Sequence, residues 1–192
     1  MASELARVVV VTPPEPFITL DQAKGHLRVT GSDEDSLIDI YRAAACAHID
    51  GPLTWLGRSV GQQTLRAYFD SFDDDLLRLP GAPLLTVSSV VYDAEDGTAT
   101  SVAAELYTLD LAGALVAHGE SWPTARDRAG AVRVEYTAGY AAVPKPIVAA
   151  ALLMIGDLYQ NRETTALEAK VSAVPMSTTV EALLSPYRIW TL

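Results

Sequence analysis

The sequence predicts an α+β fold in which helices at both ends of the chain flank a central antiparallel sheet. Apolar residues follow helical spacing over residues 19–56 and alternate with polar residues over residues 58–140. Helical spacing returns over residues 146–162, and a stretch of small and polar residues, 164–178, follows it. A chain of 192 residues is long enough for one domain, or for a domain that carries an insertion.

Two helices are predicted in the first segment. Thr19 and Gln22 have the spacing of a capping box, in which each side chain accepts a hydrogen bond from the other residue's backbone N–H. We expect Ser32 to cap the second helix, because the acidic residues 33–35 follow it and favour the positive end of a helix dipole. Apolar residues at helical spacing continue to Ile49, and a Gly-Pro pair then ends the helix.

The middle segment predicts an antiparallel sheet of five or more short strands. Residues 64–69 alternate between polar and apolar side chains, which is typical of a strand with one buried face. A valine-rich run over residues 84–92 precedes Asp96-Gly97, and an Asp-Gly pair is a strong hairpin signal. The other strand candidates are residues 76–79, 107–111, 114–117 and 132–137.

The third segment begins with a predicted helix that is apolar on nearly all sides, residues 146–162, with Pro146 in its first turn. A helix of this kind is buried in a core or between subunits. We expect Thr179 to cap a last short turn over residues 180–184. The chain then closes with Tyr-Arg-Ile-Trp, followed by Thr-Leu, and the first four are residue types that are frequent in binding hot spots.

The composition excludes several classes of protein. The formal net charge is −10, and residues 62–140 carry 5 basic and 12 acidic residues, so sequence-specific nucleic-acid binding is not expected. The longest apolar run, residues 147–155, is too short to cross a membrane, and no leader peptide is convincing, which predicts a protein that is cytoplasmic at synthesis. The single cysteine, Cys46, excludes an intrachain disulfide.

The sequence lacks the common catalytic and phosphate-binding motifs, and we expect no catalytic residue, no cofactor and no metal site. Cys46 and His48 point in different directions on a helix, so Cys46 is interpreted as a buried apolar residue and His48 as a packed core or interface histidine. His26 is assigned to a helix surface and His118 to a loop. The adjacent acids of residues 73–75 cannot all face one ion, which favours a solvated turn.

Short motifs follow one another in a fixed order along nearly the whole chain. They are Ile18–Arg28 (ITLDQAKGHLR), Asp33–Asp35, Gln62–Thr64, Leu79–Leu84 (LPGAPL), Val90–Asp93 with Asp96-Gly97, Tyr107 with Asp110, Trp122-Pro123, Val134–Tyr140 (VEYTAGY), Val143-Pro144, Leu158–Glu163 and Leu183–Arg188. This order resembles that of the head–tail connector (adaptor) proteins of tailed phages and of phage-like gene transfer agents. Each motif alone is weak, whereas the ordered series is fairly specific.

The resemblance implies a helical connector core that carries an inserted small antiparallel β domain and an extended C-terminal arm. On this interpretation residues 1–57 are an N-terminal arm and the first core helices. Residues 58–140 are the inserted β domain, residues 141–163 are the long core helix, and residues 164–192 are the C-terminal arm.

The resemblance also implies a structural function without catalysis. Adaptor subunits form a ring, commonly dodecameric, on the portal vertex of a DNA-filled head. The ring extends the DNA channel and offers an attachment surface for stopper or tail proteins. The expected partners are therefore other copies of the chain, the portal protein, stopper or tail proteins, and DNA that passes without sequence-specific binding. The expected location is the neck of a virion or phage-like particle assembled in the bacterial cytoplasm.

Two surfaces are candidates for these contacts. We expect the C-terminal residues Tyr187, Arg188, Ile189 and Trp190 to dock on the portal or on an adjacent subunit, and the alternative is that they fold back on their own domain. Asp73, Asp74 and Asp75 are candidates for an acidic surface that faces the channel or the tail.

Two other functions stay open at this point. The chain could be another neck protein, such as a stopper or a tail-completion protein. It could also be a small enzyme or ligand-binding domain with an unmarked site, in which Cys46 meets a histidine in space.

Overall fold

The computed structural model describes residues 7–72, 76–110, 113–118, 122–161 and 177–189, and the α+β class predicted from the sequence is confirmed there. The helices are α1 (Leu20–Leu27), α2 (Asp35–Ile49), α3 (Lys145–Gln160) and α4 (Thr178–Leu184). The strands are β1 (Arg7–Thr12), β2 (Gln63–Phe69), β3 (Leu76–Arg78), β4 (Leu84–Asp93), β5 (Ala99–Ser101), β6 (Tyr107–Leu109), β7 (Ala114–Ala117) and β8 (Val132–Ala138).

The chain divides into two compact units. The sheet unit comprises Met1–Pro14 and Gly61–Ala141, and the helical unit comprises Glu15–Val60 and Ala142–Leu192. This division differs at the N-terminus from the one expected from the sequence, which grouped residues 1–57 with the helices. The reason is that β1 pairs antiparallel with β2 and so belongs to the sheet.

All strand pairs of the sheet unit are antiparallel. One sheet has the order β1-β2-β8-β4-β5, and a smaller sheet has the order β3-β7-β6. The alternation predicted for β2 is present, since Leu65 and Ala67 are buried while Arg66 and Tyr68, on the other face, are partly exposed. The buried face of β8 joins the same apolar core. Strands β1 and β5 were not predicted.

The capping box at α1 is confirmed. The backbone N–H of Gln22 donates to Oγ1 of Thr19 over 3.2 Å, and the backbone N–H of Thr19 donates to Oε1 of Gln22 over 2.8 Å. The predicted cap at Ser32 is wrong, because a turn over the acidic residues precedes the helix. In that turn the N–H of Asp35 donates to the Ser32 carbonyl, and α2 begins at Asp35.

The described residues of the expected C-terminal arm, 177–189, contain regular structure. Helix α3 ends at Gln160 and buries a stripe of apolar side chains that includes Ile147 and Ile155. The predicted cap at Thr179 is also wrong. The capping residue is Ser177, whose hydroxyl accepts a hydrogen bond from the N–H of Val180, and α4 begins at Thr178. Residues 177–189 are thus mostly helical, and α4 packs against α3 through its buried apolar side chains.

Gly139 is held against the backbone of Gly61 where β8 ends beside the start of β2. A methyl group at position 139 would overlap the carbonyl oxygen of Gly61, and the φ angle of +122° is one that other residues rarely adopt. We expect Gly139→Ala to lower the free energy of unfolding by roughly 2–3 kcal/mol, measured by urea denaturation.

The matched control is Gly25→Ala. Gly25 lies inside α1, and a methyl group there would meet no atom within 4 Å. This substitution should raise the stability by about 0.5–1 kcal/mol, because glycine is a poor helix former. Equal effects of the two substitutions would contradict the close approach of Gly139 to Gly61.

Candidate functional site

The C-terminal candidate residues lie at the end of the helical unit. Tyr187 closes a short 3-10 turn after α4, and Arg188 and Ile189 continue from it in extended form. Trp190 lies outside the described residues, and so do Asp73, Asp74 and Asp75.

Residues 187–189 dock on a loop of their own unit. The N–H of Ile189 donates to the carbonyl of Leu56 over 2.9 Å, and Nε of Arg58 donates to the carbonyl of Tyr187 over 2.7 Å. The guanidinium of Arg188 lies 4.5 Å from the ring centre of Trp55, a cation–π distance. For these three residues, the structure therefore shows the alternative in which the chain folds back on its own domain.

The loop that receives them is closed on itself. Gly51 and Arg58 form an antiparallel bridge, in which the N–H of Gly51 donates to the carbonyl of Arg58 over 2.9 Å. At the tip of the loop, Leu53 exposes 84% of its surface, and Trp55 is partly exposed. Because the bridge already fixes the backbone of the loop, burial of this exposed leucine by a partner would gain free energy at the cost of side-chain freedom alone.

We call this surface the C-terminal patch: Leu53, Trp55, Tyr187, Arg188 and Ile189. The last four take part in the hydrogen bonds and the cation–π contact described above. They are only partly buried, so they still present apolar and aromatic surface. Sequence reasoning found the C-terminal half of the patch and missed Leu53 and Trp55. One signal could have found them. A leucine and a tryptophan lie between Gly51-Pro52 and Gly57, and large apolar residues in a segment typical of a surface turn indicate a binding surface.

The structure gives the Cys46–histidine hypothesis no support. Cys46 is buried as expected, and burial raises the pKa of its thiol, which disfavours the thiolate that a nucleophile requires. His48 is exposed on α2, so its assignment to the core of the chain is wrong, while its assignment to an interface stays a prediction. His26 is exposed on α1 and His118 is exposed after β7, as expected.

In the ranges that the structure describes, no group of three His, Cys, Asp or Glu residues is arranged to hold a metal ion. A search of the same ranges for membrane spans finds no helix with the necessary length and apolar character.

The sheet unit contains a buried carboxylate that sequence reasoning did not single out. Asp93 is 6% exposed at the end of β4, and Nη2 of Arg133 lies 2.6 Å from one of its oxygens. Arg128 approaches the other oxygen at 3.3 Å. The Asp93 backbone also accepts from the N–H of Arg126 and donates to the carbonyl of Ala131. Asp93 thus fixes residues 126–131 against β4.

The hydrogen bond from Arg133 is the main cause of a lowered pKa at the Asp93 carboxyl, and it outweighs the opposing effect of burial. Arg128 and Arg126 lower the pKa further through their charges.

No protein-family model and no curated protein matches the sequence, whereas solved structures match over nearly the whole chain. A chain in the neck of an empty gene transfer agent (GTA) particle, computed with C6 symmetry, is 25% identical with a TM-score of 0.74, and 97% of each chain is covered. A chain in the virion of a native GTA particle is 24% identical with a TM-score of 0.72, and 96% of each chain is covered.

A third similar chain comes from the neck of a native GTA particle computed with C12 symmetry. It is 22% identical with a TM-score of 0.66, and the match covers 98% of this chain and 97% of that chain. The chain therefore shares both of its units, and their order along the sequence, with proteins that occur in such particles.

Asp93→Asn should remove a contribution to stability that depends on pH. A carboxyl whose pKa is lowered by folding contributes its full stability above the unfolded pKa of about 3.9, and this is lost as the pH falls through the lower folded pKa. The melting temperature of the variant should lie below that of the wild type at pH 7, and the difference should shrink below pH of about 4. Asp127→Asn, an exposed acid on the same segment, should change neither value. A constant difference at all pH values would contradict the role of Asp93.

Proposed function

We propose that this chain is a ring-forming structural subunit in the neck of a phage-like particle. The observation that carries this proposal is the likeness, over 97% of both chains, to a neck chain of a GTA particle. The match covers both compact units, so it is not the likeness of a common small domain.

A ring is supported by the symmetry with which the similar necks were computed, C6 in one and C12 in another. A closed ring needs a heterologous interface, in which one surface of a subunit meets a different surface of its neighbour. The protein has exposed apolar residues on both units to supply such surfaces, including Val9 on β1 and Ile40 on α2.

Within the neck, we assign the chain to the adaptor that sits on the portal, rather than to the stopper or a tail-completion protein. This finer assignment rests on the ordered motif series from Ile18 to Arg188, several parts of which have a clear structural basis. The capping box orders the start of α1, and the Val134–Tyr140 motif contains most of the central strand β8 and the constrained Gly139. As an adaptor, the ring would extend the DNA channel and receive stopper or tail proteins.

The net charge of −10 suits a channel through which DNA passes, because a negative wall repels phosphate and prevents adhesion. Residues 62–140 carry most of this charge. The proposal that Asp73, Asp74 and Asp75 face the channel or the tail rests on this sequence pattern.

We assign portal binding to the C-terminal patch. It combines an aromatic pair, an arginine and two aliphatic side chains, a composition that is frequent in binding hot spots. Hydrogen bonds to the loop hold the backbone of Tyr187 and Ile189 in place before a partner arrives. The patch thereby avoids part of the ordering cost that a free chain end would meet on binding.

Leu53→Asp should weaken binding to the portal protein by at least about tenfold, because it introduces a charge on the exposed apolar residue of the patch. Leu53 is so exposed that the substitution leaves the folded chain undisturbed. Deletion of residues 185–192 should have the same effect or a larger one. Binding is measured by surface plasmon resonance on immobilised portal.

The control is Leu85→Asp, which places the same charge on an exposed aliphatic residue of β4 outside the patch and should leave portal binding unchanged. If both the Leu53 variant and the deletion bind portal as the wild type does, the assignment of the patch is wrong. Binding to a tail-side neck protein in place of the portal would favour the stopper.

A further inference from the structure

The C-terminal residues of the helical unit form an element with a seat of its own. Helix α4 packs on α3, and its side chains Val180 and Leu184 are completely buried. After the short turn that follows α4, the N–H of Ile189 donates to a backbone carbonyl of the loop 51–58. We call residues 177–189 the C-terminal element, and its seat consists of α3 and the loop.

The loop fits closely around the end of this element. A Cβ built on Gly57 would lie 3.3 Å from the carbonyl oxygen of Ile189 and 3.6 Å from its Cβ. Glycine also suits this position because its φ is +62°. Nε of Arg58 donates to the carbonyl of Tyr187 over 2.7 Å. The loop therefore recognises the element mainly through its backbone, and an identical element from another copy would fit equally well.

The connection between α3 and the C-terminal element is longer than two packed helices need. It consists of the 15 residues 162–176, whereas roughly 2–8 residues usually join neighbouring helices of a bundle. Fully extended, a connection of this length spans at most about 50 Å. Helix α3 has 16 residues and is therefore only roughly 24 Å long. The return of the element to its own seat thus uses only part of the available length.

A neighbouring seat lies within this reach in the proposed ring. A compact unit of about 100 residues has a radius of gyration of about 13 Å, so equivalent points on two touching copies are about 35 Å apart. In the dilute free chain the tether favours the chain's own seat, because the effective concentration of the element there is high. In a ring the seat of the next copy is accessible as well, and exchange of identical elements is a low-cost way to join subunits.

We propose that in the ring the C-terminal element of each copy occupies the seat of the next copy, whereas in the free chain it occupies its own. The contact is heterologous, and every seat of a closed ring is filled. The C-terminal patch is then composite, with Leu53 and Trp55 from one copy and residues 187–189 from its neighbour. This inference rests on the proposed ring and names the residues that join its subunits.

A disulfide between positions 57 and 189 reports which seat the element occupies. The Cβ distance of 3.6 Å lies within the range of about 3.5–4.5 Å that a disulfide requires. All variants carry Cys46→Ala, so that only the introduced thiols can pair. In the dilute free protein, the chain with Gly57→Cys and Ile189→Cys should form the disulfide within itself and run as a monomer on a non-reducing gel.

Two single-cysteine chains distinguish the chain's own seat from that of its neighbour. Equal amounts of Gly57→Cys and of affinity-tagged Ile189→Cys are assembled on portal protein and oxidised. Neither chain can form this disulfide within itself, so a cross-linked pair of one tagged and one untagged chain requires the exchange. Since roughly a quarter of the junctions in an equal mixture bring the two cysteines together, up to about half of the chains should be cross-linked.

The matched control uses Gly25→Cys in place of Gly57→Cys, because a Cβ at position 25 has no atom within 4 Å. Its mixture with Ile189→Cys measures random collision and should give few cross-linked pairs. If rings form on portal and the mixture of the 57 and 189 variants gives no more pairs than this control, the exchange is wrong and the proposed function stands. If the wild type forms no rings on portal, the exchange and the proposed function are both wrong.

A second measurement leaves Gly57 unchanged, because a cysteine with a φ of +62° is strained. Benzoylphenylalanine, a photoreactive residue, replaces Ile189, and these chains are mixed on portal with isotopically labelled wild-type chains. After illumination, mass spectrometry shows whether the loop peptide joined to residue 189 carries the label. Labelled loop peptides support the exchange, whereas unlabelled loop peptides alone overturn it.

Discussion

The close approach of Gly139 to Gly61 is the constraint on which the two-unit organisation depends. The chain passes from the helical unit into β2 at this point, and it returns from β8 at the same point, because Gln63 and Ala138 are register partners. A side chain at position 139 would force the two strands apart. The sheet unit can therefore interrupt the helical unit in sequence while each unit keeps one continuous core.

Features of the chain that depend on local physics could be predicted from the sequence. The capping box at Thr19, the alternation along β2 and the apolar face of α3 follow from spacing alone. Strand β1 could not be predicted, because an edge strand with exposed valines on both faces lacks the alternation that marks a half-buried strand. The exposure of His48 depends on which face of α2 meets α3, which spacing does not determine.

In the candidate sites, too, residue types could be predicted from the sequence whereas long-range contacts could not. The aromatic and charged residues near the C-terminus were recognisable by type. Their contacts with the loop, the Arg188–Trp55 contact and the Arg58–Tyr187 hydrogen bond, each join segments about 130 positions apart in the chain. The aromatic stack of Phe72 on Trp122 in the sheet unit likewise joins residues that are far apart in the chain. The C-terminal patch is held by contacts within its own unit, which suits an assembly protein whose free energy of association comes from a fixed interface.

The proposed function requires that the chain form a ring in the neck of a phage-like particle. The most direct measurement is electron microscopy of the purified protein mixed with portal protein, with averaging of end-on and side views. We expect a ring of copies stacked coaxially on the portal, with a central channel. Portal particles without added density, together with a chain that stays monomeric at every concentration tested, would contradict it.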